Sequence, residues 1–224
     1  MMNVVILAAG RGKRMHSDLP KVLQPLAGKP MLGHVLETVA SLRDVAKTVV
    51  VVGHCAEAVK EAFAGRAGVE FVLQEPQLGT GHALQCALGA LDPAAETTLV
   101  LLGDVPLVQP ETIARLNDVA GDGMAILTTV LRNPTGYGRI LRQRGRIVAI
   151  VEKRDATEGQ KQIREVNTGI MLLPTVRLTG WLSELKSSNA QGEYYLTDVI
   201  GLAVRDGVRI NSARPRRSFE VEGV

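Results

Sequence analysis

Asn3-Val-Val-Ile-Leu-Ala-Ala-Gly-Arg-Gly-Lys-Arg-Met-His-Ser-Asp-Leu-Pro-Lys21 opens the chain. A short apolar strand runs straight into a loop of small residues and cations. Ala8, Ala9, Gly10 and Gly12 let the backbone come close to a ligand, and their N–H groups can face phosphate oxygens. Arg14 adds a planar fork and Lys21 a mobile point charge. Together they read as a nucleoside triphosphate site at the C-terminal end of a strand. The spacing excludes a P-loop, which needs Gly-x-x-x-x-Gly-Lys-Ser/Thr, and Gly10-x-Gly12 lacks the third glycine of a dinucleotide fingerprint. Ser17-Asp18-Leu19-Pro20 is turn chemistry, so no helix starts at once.

Outward from that loop, apolar runs at residues 48–52, 70–73, 97–102 and 124–130 join 3–8 as predicted strands. Amphipathic stretches at 31–42, 56–64, 81–91 and 111–120 lie between them. Nearly continuous Val, Ile and Leu with helical crossovers predicts a Rossmann-like, mostly parallel sheet covered on both faces, an α/β fold. In such sheets ligands collect at the carboxyl ends of the strands. After about residue 130 the pattern changes. A hairpin over 139–142 and 146–151 turns at Arg144-Gly145, a strand covers 166–172, a helix carries Trp181 and another spans about 194–205. The expectation is one domain over 1–224, with a nucleotide-binding half to about 130 and a smaller α+β half, 131–224, that closes over the sheet's edge.

Bulk properties narrow the class. Net charge is +3 and aromatics are 3% of 224 residues, which argues against a nucleic-acid partner. Arg214-Pro-Arg-Arg217 reads as a solvated turn. No apolar run approaches a membrane span and no basic leader precedes the first strand, so the expected location is cytoplasmic. Cys55 and Cys86 are expected to be buried reduced thiols. His16, His34, His54 and His82 show no metal spacing and read as structural or incidental.

Asp104 ends the strand Thr97-Thr-Leu-Val-Leu-Leu-Gly-Asp104, where a carboxylate can meet Mg2+ that carries substrate phosphates. Alone it also suits a plain turn before Pro106, but its expected place beside the Leu7–Lys21 loop, on a neighbouring strand end, favours the metal. Gly79-Thr80-Gly81 is a second tight loop before a helix, able to read a base edge with Gln74 or simply to supply an N-cap at Thr80. Glu152 and Asn167 end or interrupt apolar strands; a polyhydroxylated sugar could satisfy them, and so could local bonds.

Leu7-Ala-Ala-Gly-x-Gly-x-Arg-Met-x-Ser-Asp-Leu-Pro-Lys21 resembles the signature of sugar-1-phosphate nucleotidylyltransferases. Gln77-Leu-Gly-Thr-Gly-His-Ala83, Gly103-Asp-Val-Pro-Leu107, Asn133-Pro-Thr-Gly-Tyr-Gly-Arg-Ile140, Val166-Asn-Thr-Gly-Ile170 and Asn189-Ala-Gln-Gly-Glu-Tyr-Tyr-Leu-Thr-Asp198 narrow it. With these the chain is similar, over essentially its whole length, to the N-terminal domain of the bacterial bifunctional N-acetylglucosamine-1-phosphate uridylyltransferase/glucosamine-1-phosphate acetyltransferase family. The resemblance implies UTP and N-acetylglucosamine 1-phosphate as substrates and UDP-N-acetylglucosamine and pyrophosphate as products, with Mg2+ as cofactor. By resemblance Leu7, Ala8, Ala9, Gly10, Gln74, Gly79, Thr80, Leu102 and Gly103 hold the nucleotide, and Arg14 and Lys21 contact its phosphates. Gly138, Glu152 and Asn167 hold the sugar, with Tyr195 and Thr197 in its wall, and Asp104 ligates Mg2+.

Two departures stand out. Leu102 replaces the Tyr common before Gly-Asp. The chain stops at Val224, just before an Asn that supplies the family's second metal ligand, and it carries no hexapeptide β-helix, the part that acetylates and trimerises. The expectation is therefore a truncated chain, without acetyltransferase activity, able to stand as a monomer, and with an incomplete metal site. Two alternatives stay open: a nucleotidylyltransferase for another sugar or alcohol phosphate, and a non-catalytic sugar-nucleotide-binding module.

Overall fold

Val4, Val5 and Ile6 are wholly buried because their strand, β1 (Met2–Leu7), lies inside the sheet. The computed structural model describes residues 1–10, 12, 17 and 19–223. Beyond β1 come a two-stranded ribbon, β2 (Pro25–Leu26) and β3 (Lys29–Pro30), then α1 (Met31–Ala40) and β4 (Val45–Val52). Next are α2 (Ala56–Ala62), β5 (Val69–Leu73), α3 (Thr80–Ala87), β6 (Thr97–Leu102), α4 (Pro110–Ala120) and β7 (Met124–Val130). The hairpin β8 (Arg139–Gln143) and β9 (Arg146–Val151) precedes α5 (Glu158–Lys161) and the long β10 (Glu165–Pro174). The remaining elements are α6 (Thr175–Glu184), α7 (Val199–Arg205) and β11 (Ile210–Ala213).

Among the described residues the main sheet runs β11-β7-β10-β6-β1-β4-β5, with β8 and β9 branching from β10. β1 pairs in parallel with β4 and β6, and β4 with β5. β10 runs antiparallel between β6 and β7. The sheet is thus mostly parallel, as the apolar runs indicate, and its reversed strand comes from late in the chain.

Alternation along the strands divides the core in two. Val4, Ile6, Val50, Leu99 and Leu101 face α1, α2 and α4, packing on Leu32, Leu36, Val59, Ile113 and Leu116. Val5, Val49, Val51, Val100 and Met171 face α3, α6 and α7, packing on Leu84, Leu178, Trp181, Leu182 and Ile200. Period-2 strands with 3.6-period helices on each side leave the strand ends as the place for a cleft. The hairpin turn at Arg144 and Gly145 has φ 49° and 79°, the backbone that a tight twisted hairpin requires. Arg142 ties it down, donating to both oxygens of Glu165 at 2.8 Å and to Ser212 Oγ at 2.9 Å.

Several expectations need correction. The helix expected over 194–205 begins only at Val199, after a 3-10 turn over Leu196–Asp198. Its expected first turn is held extended instead: Tyr194 N–H donates to Leu78 O at 2.8 Å, and Leu196 N–H donates to Thr80 Oγ1 at 3.0 Å. β11 was not expected, because Asn211 and Ser212 break the apolar signal of this short edge strand. The cysteines are not buried. Cys55 is exposed, in the left-handed position (φ 55°) ahead of α2, where its side chain stays outside the helix's packed face. Cys86 is half-buried on α3, beside His82 rather than in the core.

No helix among the described residues is long and apolar enough to cross a membrane.

Asn3 is fully buried, donating its side-chain N–H to Asp92 O and accepting from Asp92 N–H, both at 3.0 Å. It pins the loop that feeds β6. Asn3→Ala leaves both backbone groups without that partner and should destabilise the fold by about 2 kcal/mol in urea unfolding.

Candidate active site

Gly103 N–H donates to Leu7 O at 2.9 Å and locks the ends of β1 and β6 side by side. The two loops that leave these ends therefore start together. A Cβ on Gly103 would stand 3.1 Å from both Ala8 Cβ and Val22 Cγ1, so the small residues are a packing requirement here. The next residue, Asp104, meets Lys21 from the first loop: Lys21 Nζ lies 2.6 Å from Asp104 Oδ2, with the side chains 14% and 29% exposed. Among the described residues Lys21 alone bonds this carboxylate.

Two cavities flank this ion pair. One, about 650 Å3, is lined by Leu7, Ala8, Ala9, Gly10, Gln74 and Gly79, among others. The other, about 790 Å3, is lined by Gly138, Glu152, Asn167, Thr168, Gly169 and Thr197, among others. Both include Leu7, Gly10, Lys21, Thr80, Leu102 and Asp104 in their walls, so they form one cleft with the ion pair at its waist.

The smaller cavity is shaped by backbone. Gly79 has φ +107°, and a Cβ there would lie 2.7 Å from Tyr194 O. Gly79, not Thr80, precedes α3 as its cap residue, and Thr80 uses its hydroxyl to accept the Leu196 N–H. Gln74 is buried at the end of β5, where its backbone N–H donates to Val52 O and its side-chain Nε2 donates to Gly79 O at 2.9 Å. Gln77 also reaches this wall, donating from Nε2 to Ala9 O at 2.7 Å. Sequence reading passed over Gln77 although it starts the quoted Gln77–Ala83 motif.

The larger cavity is polar. Thr197 Oγ1 donates to Glu152 Oε1 at 3.1 Å, and a Cβ on Gly138 would stand 3.2 Å from the same oxygen. Burial pushes the Glu152 carboxyl above its usual range, with Asp198 and Asp155 adding to the rise and the Thr197 bond opposing it. Asn167 Oδ1 accepts the Gly169 N–H at 3.1 Å, the local bond that a sugar would otherwise have to replace. Its Nδ2 has no bonding partner among the described residues and belongs to a side chain that lines the cavity. β10 bulges between Asn167 and Met171, with Gly169 at φ +86°.

Tyr195 lies outside both linings. It is buried near Asp155 and Gln191, with its hydroxyl in bonding geometry with neither, and burial raises its phenol. Arg14 lies outside the described residues. Tyr137, Val221 and Gly223 join the lining without having been singled out. Tyr137 is raised by burial and then by Glu222 and Asp104, and a Cβ on Gly223 would be 3.8 Å from Asp104 Oδ2. The signal for Tyr137 was its place inside Pro134-Thr-Gly-Tyr-Gly; Val221 and Gly223 are brought in by topology alone.

No group of three or more His, Cys, Asp or Glu gathers among the described residues to hold a metal. One carboxylate suffices for magnesium when substrate phosphates and water complete the shell. Asp104, at the waist of the cleft, fits that donor set.

The MobA-like NTP transferase domain family matches residues 4–169. The chain is 58% identical over 227 residues to "Bifunctional protein GlmU" of Bordetella petrii, covering 100% of this chain and 50% of that protein. It is 56% identical over 225 residues to the protein of the same name in Paraburkholderia phymatum, covering 100% and 49%. The chain thus spans about half the length of the curated relatives it matches. Among solved structures, a candidate glucose-1-phosphate thymidylyltransferase of Bacillus anthracis in complex with sucrose superposes with a TM-score of 0.75 at 22% identity, covering 96% of this chain and 87% of that one. At that identity the likeness concerns the fold.

The raised Glu152 carboxyl has a stability consequence. The folded state keeps this proton to a higher pH than the unfolded state does, so the stabilising effect is full below the ordinary value of 4.5 and is lost as pH rises through the raised folded value. Glu152→Gln is therefore expected to raise Tm at pH 7 and to leave it unchanged near pH 4, as calorimetric scans at both pH values would report.

Proposed function

The chain belongs to the MobA-like NTP transferase domain family, and we propose that it transfers UMP from UTP to N-acetylglucosamine 1-phosphate, giving UDP-N-acetylglucosamine and pyrophosphate. The observation that carries this reading is the meeting of a backbone-lined cavity and a polar cavity at Lys21 and Asp104. The motif resemblance and the relatives named bifunctional GlmU support the choice of substrates.

In this reading the backbone from Leu7 to Gly10, with Gln74, Gly79, Thr80, Leu102 and Gly103, holds the uridine nucleotide. Gly138, Glu152, Asn167 and Thr197 hold the N-acetylglucosamine group, and Tyr195 backs that wall from behind. The two phosphates meet at the waist. An ionised phosphate oxygen of the sugar phosphate attacks the α-phosphorus of UTP. The bond from that phosphorus to the bridging oxygen breaks, and pyrophosphate leaves with the electron pair. No proton has to be removed from the nucleophile, so the side chains need only align and neutralise. Asp104 would hold magnesium, which would supply charge neutralisation for the reacting phosphates. Lys21 exchanges its carboxylate partner for phosphate oxygens, and Arg14 joins it on the transferring group. The reaction is placed in the cytoplasm. In the family that the chain resembles, acetyl transfer and the trimer belong to a β-helix domain.

The test is pyrophosphate release from UTP and N-acetylglucosamine 1-phosphate, with magnesium and with EDTA. Metal-dependent release is expected; none, in a folded chain that binds neither substrate, overturns the reading. Asp104→Asn should lower kcat about a hundredfold or more, as removal of one preorganised charge-stabilising group commonly does. Glucose 1-phosphate should be used at least about a hundredfold less well in kcat/KM, because it leaves buried polar groups without the acetamido partner.

A further inference from the structure

We propose that His82 is a positioning residue that fixes the Gln74 amide and thereby sets the cleft's choice of nucleobase. The inference rests on the uridylyltransferase reading for the identity of the base, and on geometry for everything else.

Gln74 is 4% exposed and its backbone N–H is held by Val52 O, so its side chain leaves the strand end from a fixed point. Nε2 lies 2.9 Å from Gly79 O. A carbonyl only accepts, so the end of the amide facing Gly79 must be the NH2 group. That group has a second hydrogen, and His82 Nδ1 lies 3.2 Å from the same nitrogen. Nδ1 can accept only when it carries no proton, so the neutral ring must hold its hydrogen on Nε2. Nε2 lies 3.7 Å from Cys86 Sγ, one helical turn on, where sulfur can accept it weakly. The chain Cys86–His82–Gln74–Gly79 is therefore self-consistent in one tautomer and one amide orientation.

Both amide hydrogens are then spent on protein, and Oε1 has no bonding partner among the described residues. Gln74 lines the smaller cavity, so what it offers a ligand is an acceptor. Uracil presents its imide N3–H to an acceptor. Cytosine presents a lone pair at N3 and is repelled. Without His82 the second N–H loses its partner and the amide can swing, which offers the cleft a donor as well. Sequence reading treated His82 as structural or incidental; its value lies one hydrogen bond behind the wall.

Two measurements test this. In 15N-labelled protein without ligand, NMR of the ring nitrogens should show His82 as the Nε2–H tautomer; the Nδ1–H tautomer overturns the proposal. Calorimetric titration with UTP and with CTP, in magnesium, should show a UTP preference that falls about five- to tenfold in His82→Leu, the effect of one neutral hydrogen bond. His82→Asn, whose Oδ1 can stand near the site of Nδ1, should restore most of it. An unchanged preference in folded His82→Leu overturns the proposal. If His82→Leu does not fold, His82→Asn and the tautomer decide. Absence of any base preference in the unaltered protein, with the Nε2–H tautomer present, counts against the uridine reading and overturns the base-choice role while leaving the lock itself in place.

Discussion

The antiparallel insertion of β10 between β6 and β7 is the constraint on which the cleft depends. A doubly wound sheet places ligands at the carboxyl ends of its parallel strands. Reversing one strand among them brings that strand's beginning, rather than its end, to the same edge. Pro174 pairs with Thr97 and Met171 with Val100, so residues 167–169 stand beside Leu102 and the Asp104 turn. The bulge at Gly169 is tight against Leu102: a Cβ there would lie 2.7 Å from Leu102 Cδ1. A polar strand start is thereby delivered against a nucleotide-type loop built at the far end of the sequence. The β8–β9 hairpin follows as a branch of the same strand and carries Gly138 and Glu152 to the cavity.

The ion pair at the waist follows from that arrangement. Locking Gly103 to Leu7 fixes the ends of β1 and β6, and their loops hold opposite charges 2.6 Å apart. Each partner of a partly buried pair is held largely by the other, and removal of one leaves the second under-solvated. A ligand combining a cation with phosphate oxygens can satisfy both at once, the cation taking Asp104 and the phosphate taking Lys21. The pair is thus an electrostatic stand-in for a metal–phosphate group.

The sheet was legible because its signal is local: continuous Val, Ile and Leu between helical periods needs no knowledge of partners. The glycine loops were legible for the same reason. What escaped reading depended on contacts distant in sequence. The extended Tyr194–Leu196 segment carries a helical pattern, yet Leu78 O and Thr80 Oγ1 pull it straight. Cys55 was expected to be buried, but it stands exposed in a left-handed backbone position ahead of the helix. Asp104 was expected beside the Leu7–Lys21 loop, whereas its direct ion pair with Lys21, across 83 positions, was not foreseen. Gly223 reaches Asp104 only because the chain returns past α4, where buried Glu220 accepts from Thr112 Oγ1 at 2.5 Å.

The two sides of the cleft solve different recognition problems. The smaller cavity is walled largely by backbone, glycine and the buried Gln74 amide, groups that carry no net charge. The larger cavity keeps Glu152 partly buried, and burial with the nearby Asp198 and Asp155 disfavours its charged form. A fold selected for stability alone would not retain a carboxylate there, since an amide would fit the Thr197 bond at lower cost. A carboxylate accepts from two hydroxyls or an N–H more strongly than an amide does, which suits a polyhydroxylated ligand. The cost at Glu152 therefore points to a hydrogen-bond-donating ligand in the larger cavity, the side that the proposed function gives to the sugar phosphate.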